Sequence, residues 1–259
     1  MATPSAGDAK DAKDAKNLKD AKNAKDAKDA KDAKDAKDAK DAKDAKDAKD
    51  AKDAKDAKDA TDPKIVDKLI PFDDERVRLT LEYRHQHEDP EAKDITIEPK
   101  VIILHYTAGG TAKGTIEYFS GNHMEAARAQ LAKASDLNVS AHFLVDRDGT
   151  IYRLVPETQF ARHCIGLNHI AIGVENVGDE DKWPLTDAQV EADARLVRYL
   201  AAKYPITHLI GHMEAARLEG KIYFTERDPK YRNSKPDPGK RFMKLVRAKL
   251  TDLQLKGPP

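Results

Sequence analysis

Three side chains that can bind a metal or move a proton follow three separate runs of apolar residues. His105 ends "VIILH", Glu175 lies near the end of "IAIGVEN", and His212 ends "ITHLIGH". Each run is typical of a buried strand. Because neighbouring strands of an α/β sheet bring their ends to one edge, the three side chains are expected to lie together. A lone histidine there is usually structural, but two histidines with a carboxylate suit a zinc site that keeps its fourth position open.

The identity of the third ligand is left open by spacing alone. Asp237 lies in "KPDPG", where prolines on both sides fix the local backbone, and a ligand benefits from such rigidity. Lys235, two residues earlier, projects to the same side if the segment is extended. A cation so close to a metal ligand is unfavourable unless it takes part in the chemistry. The candidates for the third ligand are Asp228, Glu214, Asp237 and Cys164.

The elements that position these residues alternate between strands and helices. Helical spacing is found in "DDERVRLTLEYRHQH", in residues 112–134, in "TDAQVEADARLVRYLAAKY" after an N-cap at Thr186, and in "PGKRFMKLVRAKL". The stretch "SAHFLVDRDGTIYRLV" predicts a hairpin in which Gly149 supplies the positive φ of the turn. The pattern predicts an α/β fold, a single domain with a central mixed β-sheet flanked by helices.

A low-complexity segment precedes this domain. Residues 8–60 are almost pure Asp-Ala-Lys triplets, in which the alanines drift around a helix instead of forming an apolar face. Such a segment buries nothing to offset the entropy of ordering, so it is predicted to be a solvated helix or disordered coil. The predicted boundaries are a repeat and linker over residues 1–67 and a globular domain over residues 68–259.

Composition excludes several classes of function once the repeat is set aside. The whole chain has 46 basic and 46 acidic residues; without the 17 Lys and 16 Asp of residues 8–60, 29 basic and 30 acidic residues remain. This balance gives no reason to expect nucleic-acid binding. No signal peptide and no run of about 18 apolar residues is found, so no transmembrane segment is expected and the default location is cytoplasmic. The single cysteine, Cys164, excludes an internal disulfide.

Five motifs occur in the order in which one enzyme family carries them. They are "ILHYTAGG", "VSAHFLVDRDGTIYRLVPE", "ARHCIGLNHIAIGVENVG", "LIGHMEAA" and "KPDPG", between about Val101 and Leu250. This part of the chain resembles the type 2, zinc-dependent N-acetylmuramoyl-L-alanine amidases. That family includes phage endolysins, anhydromuropeptide-recycling enzymes and peptidoglycan recognition proteins. The resemblance implies that residues 68–259 are an amidase domain acting on peptidoglycan or muropeptides.

The resemblance also implies a role for individual residues. His105, His212 and Asp237 correspond to the ligands of one Zn²⁺ per chain. Glu175 corresponds to the acidic residue of the catalytic site, and Lys235 to the lysine that contacts the developing oxyanion. The predicted substrate-binding residues are His163, His142 and Asn168.

Two departures from the family pattern affect these assignments. Residues between His212 and Asp237 include an insertion, "RLEGKIYFTERDPKYRNS", which keeps Asp228 as an alternative to Asp237. The residue before His142 is Ala141, where the phage branch carries a tyrosine. This chain therefore resembles more closely the branch in which a glutamate does the acid–base work. His142 itself alternates with apolar neighbours, which is equally consistent with a core or a cleft position.

Two functions from other classes remain as alternatives. A non-catalytic peptidoglycan-recognition module would keep the cleft without needing the metal. An interaction scaffold would use the Asp-Ala-Lys repeat as its main binding segment. The sequence leaves the oligomeric state undetermined, and it does not distinguish intact cell wall from soluble fragments as the substrate.

Overall fold

The computed structural model describes residues 62–221 and 223–259. Residues Asp62–Pro259 form one compact unit. The prediction of a solvated helix or coil over residues 8–60 lies outside the described residues. Among the residues that are described, no helix combines the length and apolar character needed to cross a membrane.

A six-stranded sheet forms the centre of the unit, with the strand order β1-β4-β3-β5-β2-β6. Strands β3 and β4 are antiparallel, and the other neighbouring pairs are parallel. The sheet is therefore mixed, as the sequence predicts. Its strands are β1 (Ile65–Asp67), β2 (Val101–Leu104), β3 (Phe143–Val145), β4 (Ile151–Arg153), β5 (Ala171–Asn176) and β6 (His208–Gly211).

Five α-helices and two short 3₁₀ helices accompany the sheet in the described part of the chain. The longest, α4, has the predicted N-cap at Thr186, whose side chain accepts a hydrogen bond from Gln189 N in a capping box. The α-helices are α1 (Asp74–His87), α2 (Ala112–Ser120), α3 (Ala129–Ala134), α4 (Asp187–Lys203) and α5 (Lys240–Ala248), and the 3₁₀ helices are His212–Leu218 and Thr251–Leu253.

The first strand lies inside the segment that the sequence assigned to the linker. In β1, Ile65 is in register with Ile151 of β4, and Lys68 N donates to Arg153 O at 2.9 Å just beyond the strand. The sheet thus begins before the predicted boundary at residue 68. The signal is weak because a three-residue strand is too short to show alternation.

Of two further predictions, the helix over residues 112–134 is divided in the structure and the hairpin is present. The helical pattern over residues 112–134 divides into α2 and α3, because residues 121–128 form a loop that turns back through a bridge between His123 and Leu137. The hairpin of β3 and β4 is confirmed, and Gly149 has φ +87° in its turn. A Cβ atom at Gly149 would lie 2.9 Å from the carbonyl oxygen of Ala188, so only glycine fits there.

Both faces of the sheet are covered, which explains the uninterrupted apolar run of β2. Ile102 and Leu104 belong to the cluster that packs against α4 and α5. Val101 and Ile103 point the other way, into a cluster formed with the loop before β5 and the 3₁₀ helix after β6. Side chains of a strand alternate between faces, so His105 continues on the same face as Ile103.

Candidate active site and metal centre

The register of the sheet places three predicted site residues side by side. Leu104 at the end of β2 is opposite Val174 of β5 on one side and Gly211 of β6 on the other. The next residue of each strand is therefore His105, Glu175 or His212. Parallel strands lie about 4.8 Å apart, so the three side chains begin within contact range of one another. The expectation that these strand ends gather at one sheet edge is confirmed.

Two histidines and one aspartate bring donor atoms together at this edge. His105 Nδ1 lies 3.0 Å from His212 Nδ1 and 3.1 Å from Asp237 Oδ2, and His212 Nδ1 lies 3.3 Å from the same oxygen. All three residues are buried, and they form a group of potential metal ligands within 4.8 Å. Ligand atoms about 2.0–2.2 Å from a tetrahedral zinc lie about 3.3 Å apart. The spacing and the donor set therefore fit zinc.

Asp237 reaches the site because its segment is attached to the end of β6. Met213 N, one residue beyond His212, donates a hydrogen bond to Asp237 O at 2.8 Å. This bond ties the backbones of two ligands together although 24 residues separate them in the chain. The rigid "KPDPG" segment thus positions its carboxylate where the sequence suggested.

The other candidates for the third ligand have different surroundings. Glu214 pairs with Arg247 at 2.7 Å and accepts a hydrogen bond from Gly211 N, so its carboxylate is occupied. Asp228 is exposed and accepts a hydrogen bond from Lys230 N at 2.8 Å. Cys164 is a buried free thiol that lines the cavity but lies outside the group of three donors. The carboxylates of Glu214 and Asp228 are therefore engaged elsewhere, whereas the thiol of Cys164 contacts His212.

Hydrogen bonds fix the tautomer of His105. His163 Nε2 lies 3.2 Å from Ala171 O, a group that can only accept, so this nitrogen carries the proton. Burial holds the pKa of His163 well below its ordinary value, so the ring is neutral and its Nδ1 is an acceptor. His105 Nε2, 3.1 Å away, must then donate, which leaves the lone pair of His105 Nδ1 facing the other two ligands. A metal-binding histidine needs this arrangement.

The charge states of His105 and Asp237 suit a cation, whereas His212 has to lose a proton to bind one, because its contacts with Cys164 and Asp237 outweigh burial and raise its pKa to about 10. Burial lowers the pKa of His105 to about 4, so its imidazole is neutral. Burial alone would raise the pKa of Asp237, but the close approach of the His105 and His212 rings outweighs it and holds that pKa below its usual range. A neutral imidazole and an ionised carboxylate are the forms that bind a metal.

Glu175 lies beside the ligands as a carboxyl group without a partner. Its Oε2 atom is buried and has no hydrogen-bond partner among the described residues. Burial, together with the nearby negative charge of Asp237, raises the pKa of Glu175 to about 8. A carboxyl group whose pKa is near neutrality can both accept and return a proton. Its place at the cavity supports the predicted acid–base role.

A cavity of about 620 Å³ opens above these residues. His105, Glu175, His212 and Asp237 line it, as does Lys235. The positive charge of Lys235 lowers the pKa values of both His105 and Glu175, which indicates that its ammonium group acts on the site. The cavity thus combines potential metal ligands, a buried carboxyl group and a cation.

Two of the three predicted substrate-binding residues line this cavity. His163 does so while it contacts His105. Asn168 also does so, but its side chain is engaged: Oδ1 accepts from the backbone N atoms of His163 and Cys164 at 2.8 and 2.7 Å, and Nδ2 donates to the Tyr83 hydroxyl at 3.3 Å. Asn168 therefore holds the loop that carries His163.

The prediction that His142 binds substrate is corrected by its surroundings. The residue is fully buried, and it is not among the residues that line the cavity. Its Nδ1 accepts from Gly173 N at 3.0 Å, and its Nε2 lies 2.8 Å from Gln159 O. Both ring nitrogens are satisfied by backbone groups, so His142 has no free atom for a substrate. Of the two alternatives for this residue, the core position is the correct one.

Two residues near the site are absent from the sequence-based prediction. Arg128, in the loop before α3, lines the cavity, and its charge lowers the pKa of Glu175. An arginine within a mixed polar stretch gives no local signal of such a position. Trp183 lies against Gly109, whose neighbours Ala108 and Gly110 line the cavity. The sequence offers one indication that Trp183 is special, since it is the only tryptophan of the chain.

The fold and the site define a class: α/β proteins with a buried cluster of two histidines and one aspartate that could bind a metal, at the strand ends of a mixed sheet. Residues 96–240 match the family model described as N-acetylmuramoyl-L-alanine amidase. Because the match covers more than half of the chain, the protein belongs to this family.

The curated relatives include proteins named endolysin and proteins named 1,6-anhydro-N-acetylmuramyl-L-alanine amidase. The endolysin of Escherichia phage T7 is 38% identical over 85 residues, which are 31% of this chain and 56% of the relative. The 1,6-anhydro-N-acetylmuramyl-L-alanine amidase AmpD of Salmonella typhimurium (strain SL1344) is 34% identical over 108 residues, 38% of this chain and 57% of the relative. The chain thus spans about half the length of these relatives.

A solved structure is also similar to this chain. It is the N-acetylmuramoyl-L-alanine amidase LysC from Clostridium intestinale URNW, with 22% identity and a TM-score of 0.45. The similarity covers 75% of this chain and 99% of that chain.

Proposed function

We propose that this protein is a zinc-dependent amidase that hydrolyses the bond between the lactyl group of N-acetylmuramic acid and the L-alanine of the stem peptide. The observation that carries the proposal is the triangle of His105 Nδ1, His212 Nδ1 and Asp237 Oδ2, with sides of 3.0 to 3.3 Å, in a cavity that also contains Glu175 and Lys235. Membership of the amidase family supports the choice of bond.

His105, His212 and Asp237 would hold the zinc ion. When bound, zinc supplies Lewis-acid polarisation of the scissile carbonyl and lowers the pKa of the attacking water. His163 keeps the His105 ring in the required tautomer through its own bond to Ala171 O. The ligand atoms are thereby oriented before any substrate arrives.

Glu175 performs the proton transfers in this proposal. Its unpartnered Oε2 is available to take a proton from the attacking water and to return it to the departing alanine nitrogen. Amide hydrolysis needs this second transfer because an unprotonated amide nitrogen is a poor leaving group. One carboxyl group with a pKa near neutrality can perform both steps.

Lys235 stabilises the charge that appears on the carbonyl oxygen as the tetrahedral intermediate forms. It lines the same cavity as the ligands and Glu175. A cation fixed beside the reacting carbonyl acts most strongly in the transition state, where the oxygen carries the negative charge. Pro236 and Asp237 follow it directly, so the metal site and this cation belong to one rigid segment.

The substrate in this proposal is peptidoglycan or its soluble fragments. The printed name of the Salmonella relative gives an anhydromuramyl-L-alanine substrate for that protein. The phage relatives are named endolysins, which is consistent with action on the wall itself. Both substrates contain the same amide, so the chemistry of the site serves either.

Mass spectrometry of two digests tests the function. The protein with added zinc is incubated with intact sacculi and, separately, with soluble anhydromuropeptides. Release of free stem peptide is expected from at least one substrate and is expected to be lost in Glu175→Gln. Glu98→Gln, the same change at an exposed position away from the cavity, serves as the control and should cleave normally.

The alternatives give different results in the same assay. A recognition module would bind muropeptides, with zinc present in about one copy per chain, and release no peptide. The mouse peptidoglycan recognition protein 3, 24% identical over 144 residues, is a relative of that name. A repeat-based scaffold would lose a binding partner on removal of residues 1–60, with hydrolysis of soluble substrates unchanged.

A further inference from the structure

Trp183 exposes half of its surface beside the active-site cavity. Its relative exposure is 50%, and the other large apolar side chain exposed to this degree in the described part of the chain is Leu69. The benzene edge of the indole lies over Gly109, where a Cβ atom would come within 2.7 Å of the ring. Glycine therefore lets the ring pack directly on the backbone, and the ring remains half exposed.

A tight turn holds this ring in place. Asp179 Oδ1 accepts hydrogen bonds from the backbone N atoms of Asp181, Lys182 and Trp183 at 2.7 to 2.9 Å. Asp179 N donates to Trp183 O at 2.9 Å, and Arg147 Nη1 donates to the same oxygen at 3.1 Å. The backbone under the indole is thus bonded on several sides. An exposed aromatic ring on a fixed support is preorganised to bind a ligand.

The ring is within reach of the reaction centre. Gly109 follows His105 by four residues, which span at most about 14 Å even when fully extended. Gly109 N donates to Gly178 O at 2.9 Å, so the loop that carries Trp183 runs beside the cavity wall. A substrate group attached near the scissile amide can therefore touch the indole while the amide occupies the site.

The charges around Trp183 favour a neutral, hydroxyl-rich ligand over an acidic peptide. Asp179, Glu180 and Asp181 precede the ring, and Glu180 Oε1 lies 3.1 Å from the position that a Cβ of Gly239 would take. Carboxylates repel an acidic stem peptide but accept hydrogen bonds from sugar hydroxyl and acetamido groups.

We propose that Trp183 is a saccharide-binding platform, on which an N-acetylated amino sugar of the glycan part of the substrate packs its C–H face. The negative face of the indole attracts polarised C–H groups, and the acidic turn supplies acceptors at the edge of the sugar. This inference rests on the proposed amidase function, since it assigns the glycan side of the same substrate. It places the sugars on the Gly109 side of the cavity.

A binding experiment with sugar alone tests the platform without any hydrolysis. The probe is N,N′-diacetylchitobiose, a neutral disaccharide of N-acetylglucosamine that contains no peptide, no lactyl carboxylate and no scissile amide. Calorimetric titration compares the wild-type protein with Trp183→Ala, Trp183→Phe and the control Leu69→Ala. Because Trp183 is the only tryptophan of the chain, its fluorescence reports directly on whether the sugar reaches this ring.

The expected results separate the four proteins. Trp183→Ala should bind the disaccharide about tenfold more weakly than wild type, Trp183→Phe should retain most of the affinity, and Leu69→Ala should equal wild type. Wild-type tryptophan fluorescence should change saturably with the same dissociation constant as the heat signal. Equal affinities of wild type and Trp183→Ala, or no binding by either, would overturn the proposal.

A kinetic comparison separates the platform from the amidase function. The two substrates are a muramyl dipeptide and a sugar-free N-lactoyl dipeptide with the same amide. Trp183→Ala should raise KM about tenfold for the first and leave the second unchanged. A similar loss on both substrates would contradict a saccharide role. If the wild-type protein cleaves neither substrate, the proposed function fails, and the disaccharide titration still decides the question of the platform.

Discussion

The Nε2 atom of His105 lies 3.1 Å from the Nδ1 atom of His163, and this contact determines which nitrogen of His105 is free to bind a metal. His163 donates from its other nitrogen to Ala171 O, so its proton cannot move to the shared contact without the loss of that bond. His163, which the sequence predicts to bind substrate, therefore contacts a proposed metal ligand. His163 is a positioning residue in the proposed site.

Replacing His163 with alanine should weaken zinc binding. Without the acceptor at Nδ1, the His105 ring loses the bond that fixes its tautomer and orientation, and loss of such a partner typically reduces metal affinity 10- to 100-fold. Competition with a chromophoric chelator measures the affinity directly. His169→Ala, which removes a histidine bonded to Thr225 away from the ligands, is the matched control. Unchanged zinc affinity in His163→Ala would contradict the positioning role.

Removal of zinc should abolish hydrolysis and destabilise the fold. The proposed ligands come from three segments that are distant in the chain, so the ion links parts that the backbone does not. Saturation at 100 times the dissociation constant contributes about 2.7 kcal/mol. At about 2–4 °C per kcal/mol for a domain of this size, zinc should raise Tm by roughly 5–10 °C.

The control for zinc removal is the double variant His105→Ala, His212→Ala, in which added zinc should leave Tm unchanged. Readdition of zinc to the chelated wild-type protein should restore both activity and Tm. Full hydrolytic activity after chelation, with metal loss verified by elemental analysis, would exclude the zinc mechanism.

Much of this arrangement is predictable from local patterns. Apolar runs that end in His105, Glu175 and His212 identified three strands, and the rule that strand ends meet at one edge placed the side chains together. The choice of Asp237 depended on resemblance and on its prolines, because spacing alone left other carboxylates open. Local periodicity determines which face of a strand a residue occupies, and the positions of His105, Glu175 and His212 follow from it.

The sequence did not predict the side-chain contacts between residues that are far apart in the chain. The bond between His105 and His163 joins residues 58 positions apart, and the packing of Trp183 on Gly109 depends on a turn formed by Asp179. His142 alternates with apolar neighbours whether it faces a core or a cleft, so its pattern could not distinguish the two. Such contacts depend on how loops close, which residue type and periodicity do not determine.

Glu88 should make stability depend on pH in a region away from the metal site. Both of its carboxyl oxygens are buried, and this burial outweighs the nearby charge of Arg84 and raises the pKa of Glu88 to about 8. The folded state therefore keeps a proton that the unfolded state loses above about pH 4.5. The resulting stability is complete below pH 4.5 and is lost as the pH rises to about 8.

Urea unfolding at pH 5 and pH 8 measures this contribution. The free energy of unfolding of the wild-type protein should fall relative to Glu88→Gln by a few kcal/mol between the two values, since each pH unit contributes at most about 1.4 kcal/mol. Glu98→Gln, an exposed position, should show the same pH dependence as wild type. Parallel curves for wild type and Glu88→Gln would show that Glu88 titrates normally.

Lys235 and Asp237 lie two residues apart and have different proposed roles, so their alanine variants should fail in different ways. Asp237→Ala removes an ionised ligand and should lose zinc affinity together with activity. Lys235→Ala removes a charge that acts in the transition state, so it should keep zinc and Tm while kcat falls roughly 10²- to 10³-fold, as for the loss of an oxyanion donor. Asp228→Ala is the control, because the exposed carboxylate of Asp228 accepts a hydrogen bond from Lys230 N and lies outside the donor group.

Elemental analysis, thermal unfolding and steady-state kinetics on the three variants separate these outcomes. If Asp237→Ala retained a full equivalent of zinc while Asp228→Ala lost it, the third ligand would be Asp228, and the role of Lys235 beside the metal would no longer follow.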